Sequence, residues 1–185
     1  MKNANVRTAI ILAITTLLVL TAIFFIRQPW IVNSPIEVEI ADEVASGPLR
    51  EGHPAPQFTA ETVDKSVFNL QDLQGKPVWL IFEATWCGAC AEEIEAVQET
   101  YAEYQDKVHV VSIFVEEDTR KVIKHQKSKN LRHPLIADHR GKLTGHYSVY
   151  GIPKHVFIDS QGVVVTILEG TLTKDEASAI LNDLS

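Results

Sequence analysis

The segment Val78-Trp79-Leu80-Ile81-Phe82-Glu83 constrains this chain more than any other part of it. It is a continuous apolar run of strand length, and it leads into Ala84-Thr85-Trp86-Cys87-Gly88-Ala89-Cys90. An apolar run without alternation suits a strand covered on both faces. After Cys87 the period changes. Cys90, Ile94, Val97, Tyr101 and Tyr104 recur at three- and four-residue steps, the pattern of an amphipathic helix. The chain has 2 cysteines, and both lie where a buried strand turns into a helix. A bridge between them closes a very short loop, so it restricts the unfolded chain little. Redox or metal chemistry is therefore favoured over stapling.

The position assigns roles within the pair. The first turn of a helix presents unpaired N–H groups and the positive end of the helix dipole. Cys87, at or just before the helix start, is expected to have its thiolate stabilised there. Cys90, about one turn further on, is expected to be more buried. Cys87 then attacks a target disulfide, and Cys90 resolves the mixed disulfide.

The rest of the chain reads as an α/β layered domain. Residues 58–62 and 66–70 read as short strands around a turn at Asp64-Lys65, and residues 108–115 as a second buried strand. Residues 118–129 read as a helix, 135–137 as a short strand and 142–149 as a short helix. Residues 154–159 and 163–168 form strands joined by a hairpin turn at Ser160-Gln161-Gly162. Thr173-Lys174-Asp175-Glu176 is a capping box that opens the last helix. Strands alternating with helices, and a closing hairpin, imply a mixed central sheet.

Residues 8–26 are a run of 19 without charge. At about 1.5 Å per residue such a helix nearly spans the roughly 30 Å hydrocarbon layer. Lys2 and Arg7 precede it, whereas Glu37, Glu39, Asp42 and Glu43 follow after Arg27. By the positive-inside tendency residues 1–7 stay in the cytoplasm and the remainder is exported. A cleaved signal would end in a small-x-small site, but Phe24-Phe25-Ile26-Arg27 offers none, so the segment reads as a single-pass anchor in the cell membrane. Residues 27–51 contain Pro29, Pro35, Gly47 and Pro48 without a sustained period and read as a tether, leaving 52–185 as the folded domain. The net charge of −7, with no concentrated basic face, argues against nucleic acid as a partner.

Other uses of the cysteines fit less well. A structural zinc site needs further ligands, usually a second close pair, and the 7 histidines are scattered. Haem attachment would require His directly after Cys90, where Ala91 stands. A thiol peroxidase reading requires Thr three residues and Pro eight residues before the reactive cysteine, and Ala84 and Trp79 occupy those places. A chaperone that binds copper or zinc through the pair is the alternative of a different class. Gly151-Ile152-Pro153 opens a later apolar strand. A cis Pro153 beside the cysteines would leave backbone groups free for a substrate strand, whereas a trans proline would simply start the strand.

These residues resemble the TlpA/ResA branch of thioredoxin-like proteins. The resemblance rests on Gly52-His-Pro-Ala-Pro-Gln-Phe58, on Leu70-x-Asp72-Leu73-x-Gly75-Lys76-Pro77 and on Phe82-x-Ala84-Thr85-Trp86-Cys87-x-x-Cys90. Tyr147-x-Val149-x-Gly151-Ile152-Pro153 and Phe157-Ile158-Asp159-x-x-Gly162 extend it. It implies a thioredoxin fold with an N-terminal β-hairpin addition and dithiol–disulfide exchange outside the cytoplasmic membrane. It requires no cofactor beyond the redox-active Cys87–Cys90 disulfide. It implies a cis Pro153, with Trp86, Ile152 and Pro153 contacting substrate. Members of the branch commonly reduce apocytochrome c before haem attachment and draw electrons from a membrane thiol carrier of the CcdA or DsbD kind. ResA-like members carry a functional glutamate three residues after the second cysteine, which here is Glu93; a solvated helix acid is the plainer reading, since Glu92 and Glu95 flank it.

The chain departs from the branch at several positions. Ala89 stands where Pro is usual, and Glu83 stands where Trp is usual. If Glu83 is buried its pKa rises and it can serve as a general acid or base; if it reaches solvent it does neither. Ile81 occupies the place of the buried aspartate of cytoplasmic thioredoxins, so Glu93 or Glu83 would have to replace that acid. Lys154 and His155 replace a usual Thr pair, and Lys154 is expected either to favour acidic targets or to face solvent.

Overall fold

The computed structural model describes residues 11–21, 23, 38–40 and 49–184. The chain divides into two compact units, Met1–Pro35 and Ile36–Ser185. In the first, residues 11–21 and 23 are helical, and their large apolar side chains are 44–63% exposed. Among the described residues no helix is long and apolar enough to cross a membrane. Positions 8–10, 22 and 24–26 of the expected span lie outside the described residues.

The second unit runs β1 (Glu39–Ile40), β2 (Phe58–Glu61), β3 (Val67–Asn69), β4 (Val78–Glu83), α1 (Gly88–Tyr104), β5 (His109–Val115) and α2 (Thr119–Lys129). It continues with β6 (Leu135–Asp138), α3 (Lys142–His146), β7 (Lys154–Ile158), β8 (Val164–Glu169) and α4 (Lys174–Leu184). From β2 onward this is the order the sequence implied. β1 is an addition within the stretch read as a tether: it pairs antiparallel with β2, with Ile40 opposite Phe58. Two residues carry no detectable period, so only the pairing reveals the strand.

The central sheet has the order β6-β5-β4-β7-β8. β4, β5 and β6 are parallel, and β7 and β8 run antiparallel to them. The mixed sheet and its helices form the thioredoxin-like arrangement that the resemblance implied. β4 is central and wholly buried because alternate residues serve two cores. Val78, Leu80 and Phe82 pack with Phe58, Phe68, Leu143 and Tyr147. Trp79 and Ile81 pack on the opposite face with Val97 and Tyr104 of α1 and Ala177 and Leu181 of α4. Burying each such large apolar side chain contributes about 1.5–3 kcal/mol, which makes β4 the anchor of both layers.

The strand period decides where the polar residues point. Glu83 follows Trp79 and Ile81 at two-residue steps and so faces the α1 side. Ser112 of β5 and His155 of β7 stand directly opposite Ile81 in the register, on that same side. α1 lies over them, and its buried stripe is Cys90, Glu93, Val97, Thr100 and Tyr104. This stripe corrects the apolar pattern, which placed Ile94 and Tyr101 at its centre. Both are only partly buried, and the helix is rotated so that Glu93 and Thr100 enter the interior.

The punctuation of the fold follows local chemistry. In the capping box the Thr173 hydroxyl accepts from Glu176 N at 3.3 Å, and Glu176 Oε2 accepts from Thr173 N at 2.9 Å. Gly162 closes the β7–β8 hairpin at φ +82°. The helix expected over 142–149 stops at His146 because Ser148 adopts φ +49°, outside the helical region.

Candidate active site

Cys87 is the N-cap of α1 and is joined to Cys90 in a disulfide. Its Sγ accepts from the Cys90 backbone N–H at 3.1 Å. In the dithiol this donor and the positive helix end favour a thiolate on Cys87. Cys87 is 8% exposed and Cys90 is 1% exposed, the asymmetry expected of attacker and resolver. Trp86, next to Cys87, is 70% exposed. The Ile152–Pro153 bond is cis, and the Ile152 carbonyl oxygen lies 3.9 Å from Cys87 Sγ. Ile152 also packs against Ala84 and the two cysteines, and Pro153 is buried behind it.

The loop before Cys87 is held from below by a residue that sequence reasoning missed. Glu117, buried after β5, accepts from the Thr85 backbone N–H and the Thr85 hydroxyl, both at 2.7 Å. A typical hydrogen bond contributes about 0.5–1.5 kcal/mol. The two bonds fix the approach of β4 to the helix start. Glu117 reads as one acid among solvated neighbours, and no periodicity marks it.

Behind Cys90 lies a small cavity lined by Glu83, Cys90, Glu93, Ile94, Val97, Leu131 and His133. Both expected acids therefore meet the resolving cysteine, and the solvated reading of Glu93 does not hold: Glu93 is 3% exposed. Its Oε2 accepts from Leu172 N at 2.9 Å and lies 3.3 Å from His155 Nε2, whereas Oε1 has no hydrogen-bond partner. Glu83 is also buried, and its carboxyl is pushed up to about 7. Burial is the main cause, and the charges of Glu93 and Glu117 add to it. A hydrogen bond from Ser112 acts in the opposite direction.

Two buried histidines complete the surroundings, and neither is signalled by the sequence alone. His133 Nε2 lies 2.8 Å from Ser112 Oγ, and burial lowers its pKa to about 4, so the ring is neutral near pH 7. His155 is fully buried, between Trp79 and Glu93. Lys154 does neither of the things expected of it. It is buried, and its Nζ donates to the carbonyls of Tyr147 and Ser148 at 3.3 and 2.8 Å. Burial lowers its pKa, partly opposed by Glu169. It serves to hold the turn before cis-Pro153. Among the described residues no cluster of His, Cys, Asp and Glu is arranged to hold a metal ion.

The site geometry is that of a dithiol–disulfide exchange centre, and comparison with known proteins defines its class. Residues 52–167 match the AhpC/TSA family, and the chain belongs to it. It is 35% identical over 141 residues to the thiol-disulfide oxidoreductase ResA of Oceanobacillus iheyensis, covering 74% of this chain and 73% of that one. It is 34% identical over 131 residues to the thioredoxin-like protein YneN of Bacillus subtilis, covering 69% and 76%. Among solved structures it superposes on a secreted disulfide oxidoreductase of Mycobacterium tuberculosis, described as homologous to E. coli DsbE. That match has a TM-score of 0.63 and 28% identity, and it covers 69% of this chain and 96% of that one. The protein is a thiol–disulfide oxidoreductase of thioredoxin-like fold.

The buried Glu83 gives a pH signature. Its folded-state pKa of about 7 lies above the ordinary 4.5, so between these values the folded chain holds a proton that the unfolded chain has lost. Its contribution to stability therefore falls as pH rises through this window, at up to about 1.4 kcal/mol per pH unit. Buried, neutral His133 contributes the opposite slope over much of this range, so the Glu83 effect is read as a difference: in urea unfolding of the oxidised proteins, Glu83→Gln is expected to gain stability relative to the wild type as pH rises from about 4.5 to about 7. An unchanged slope in Glu83→Gln contradicts the buried-acid assignment.

Proposed function

We propose that the protein is a membrane-anchored reductant of disulfides in exported proteins, working through the Cys87–Cys90 dithiol. The observation that carries this reading is the meeting, at one helix start, of Cys87 at 8% exposure, the more deeply buried Cys90 at 1% and the Ile152 carbonyl ahead of cis-Pro153. In the forward direction the Cys87 thiolate attacks a substrate disulfide and one substrate thiolate leaves. Cys90 then attacks Cys87 Sγ, the second substrate thiolate leaves, and the protein is left oxidised. The substrate gains two electrons and two protons. Exposed Trp86 and half-buried Ile152 offer apolar contact to the peptide around the target disulfide.

The resemblance to the TlpA/ResA branch supports a disulfide-reducing direction, and apocytochrome c, whose haem-binding cysteines must be reduced, is the substrate class we favour. A membrane thiol carrier of the CcdA or DsbD kind would then return the protein to the dithiol. The uncharged run over 8–26, with its basic residues ahead of it, supports the anchor. So do the exposed apolar side chains of the N-terminal helical stretch, which in water would be unfavourable.

Cys87→Ser is expected to abolish insulin and apocytochrome c reduction, and Cys90→Ser to accumulate a covalent mixed disulfide visible on non-reducing gels. Full activity in Cys87→Ser ends this reading. For the location, alkaline phosphatase fused to the C-terminus is expected to be active in intact bacteria. Inactive enzyme in a well-expressed fusion would place the domain in the cytoplasm.

A further inference from the structure

His155 stands where the resembling proteins usually carry threonine, and its hydrogen-bond partners assign the role of each ring nitrogen. Trp79 Nε1, which can only donate, donates to His155 Nδ1 at 3.3 Å. The ring proton is therefore on Nε2. It points to two acceptors: the Gly170 carbonyl at 3.1 Å and Glu93 Oε2 at 3.3 Å. Glu93 Oε2 also accepts from the Leu172 amide at 2.9 Å. One oxygen of this carboxylate thus faces two N–H donors, while Oε1 is buried and has no hydrogen-bond partner. Glu93 shares its cavity with Cys90, one helical turn earlier on the same stripe.

We propose that His155 is a positioning residue for proton transfer at Cys90: with the Leu172 amide it holds Glu93 Oε2 as an acceptor, so that the proton leaving the Cys90 thiol is taken at Oε1. An oxygen already facing two donors is a poor place for a third proton, so the carboxylate is polarised toward the cavity. The step balances within the exchange reaction and rests on that reading. The Cys90 S–H bond breaks, its proton goes to Glu93 Oε1, and the Cys90 sulfur forms a bond to Cys87 Sγ. The bond from Cys87 to the substrate sulfur breaks, and the substrate leaves as a thiolate. The other titratable groups facing this point are Glu83 on β4 and His133 ahead of β6, with Glu117 acting on Glu83 from the end of β5. No lysine or arginine lines the cavity.

The test uses the reduced full-length chain in detergent, with the aromatic disulfide DTNB as probe. Attack by Cys87 releases one coloured thiolate, and attack by Cys90 on the resulting mixed disulfide releases the second, so stopped-flow absorbance reads the two steps separately. His155→Gln keeps an acceptor for Trp79 and an N–H donor for Glu93, whereas His155→Met matches its length with no N–H donor. Loss of a hydrogen bond to an ionised group predicts a second phase slowed about tenfold in His155→Met on the acid side of neutrality. The slowing should shrink as pH rises, because hydroxide in solution can then take the thiol proton in place of the carboxylate. His155→Gln should follow the wild type, and the first phase should be unchanged in both. Glu83 and His133 are common to all three proteins. A wild-type second phase in His155→Met, or equal slowing in Met and Gln variants at every pH, overturns the proposal. Should His155→Met not fold, Glu93→Gln decides: without the carboxylate acceptor the second phase must slow while the first is unchanged, and a wild-type second phase overturns the proposal. Absence of the first phase in the wild type would instead contradict the exchange reading itself.

Discussion

The burial of two carboxyl groups beneath the first turns of α1 is the constraint on which the rest of the site depends. Ionised groups are costly to bury without partners. Here the cost is met by specific donors: Leu172 N and His155 for Glu93, and Ser112 for Glu83. Those donors come from the loop before α4, from β7 and from β5, so three separate parts of the chain meet the acids on the α1 side of the sheet. The apolar packing of Trp79, Ile81, Val97 and Leu181 continues the same layer.

This arrangement gives the two cysteines different surroundings. Cys87 caps a helix and meets the Ile152 carbonyl, and there the positive helix end favours its thiolate. Cys90, within the first turn, shares a cavity with two acids and a neutral histidine, where a second negative charge is disfavoured. The helix start therefore favours an anion on the attacking sulfur, whereas the surroundings of the resolving sulfur favour its thiol form. Glu117 contributes from outside the cavity by fixing Thr85, and hence the point where β4 hands the chain to α1.

Much of this was legible in the residues. The unbroken run over Val78–Glu83 announced a central strand, the change of period announced α1, and the Cys-x-x-Cys placed chemistry at their junction. The two-residue period also aims Glu83 at α1, once the strand is accepted. Periodicity failed where polar residues occupy core positions. It counted Ile94 and Tyr101 because they are apolar, and it passed over Glu93 and Thr100, although the latter form the buried stripe. Ser112, His133 and His155 were invisible for the same reason: their roles come from a cross-strand register, with Ser112 and His155 both opposite Ile81, and no single segment contains it. Lys154 was misplaced because a buried lysine is rare, and only the carbonyls of Tyr147 and Ser148 make its position tolerable.

The central claim is that acids gathered behind Cys90 disfavour a thiolate on that sulfur, so that only the Cys87 thiolate is favoured in the reduced form; on this ground we propose that the pair works as a reductant. A strong oxidant of this fold owes its potential to a stabilised reduced form. The reduction potential of the Cys87–Cys90 couple, measured by equilibration of the full-length chain with thiol buffers, tests the claim most directly. The account predicts a value near that of thioredoxin, about −270 mV; a value near −120 mV would contradict it and make the protein an oxidant.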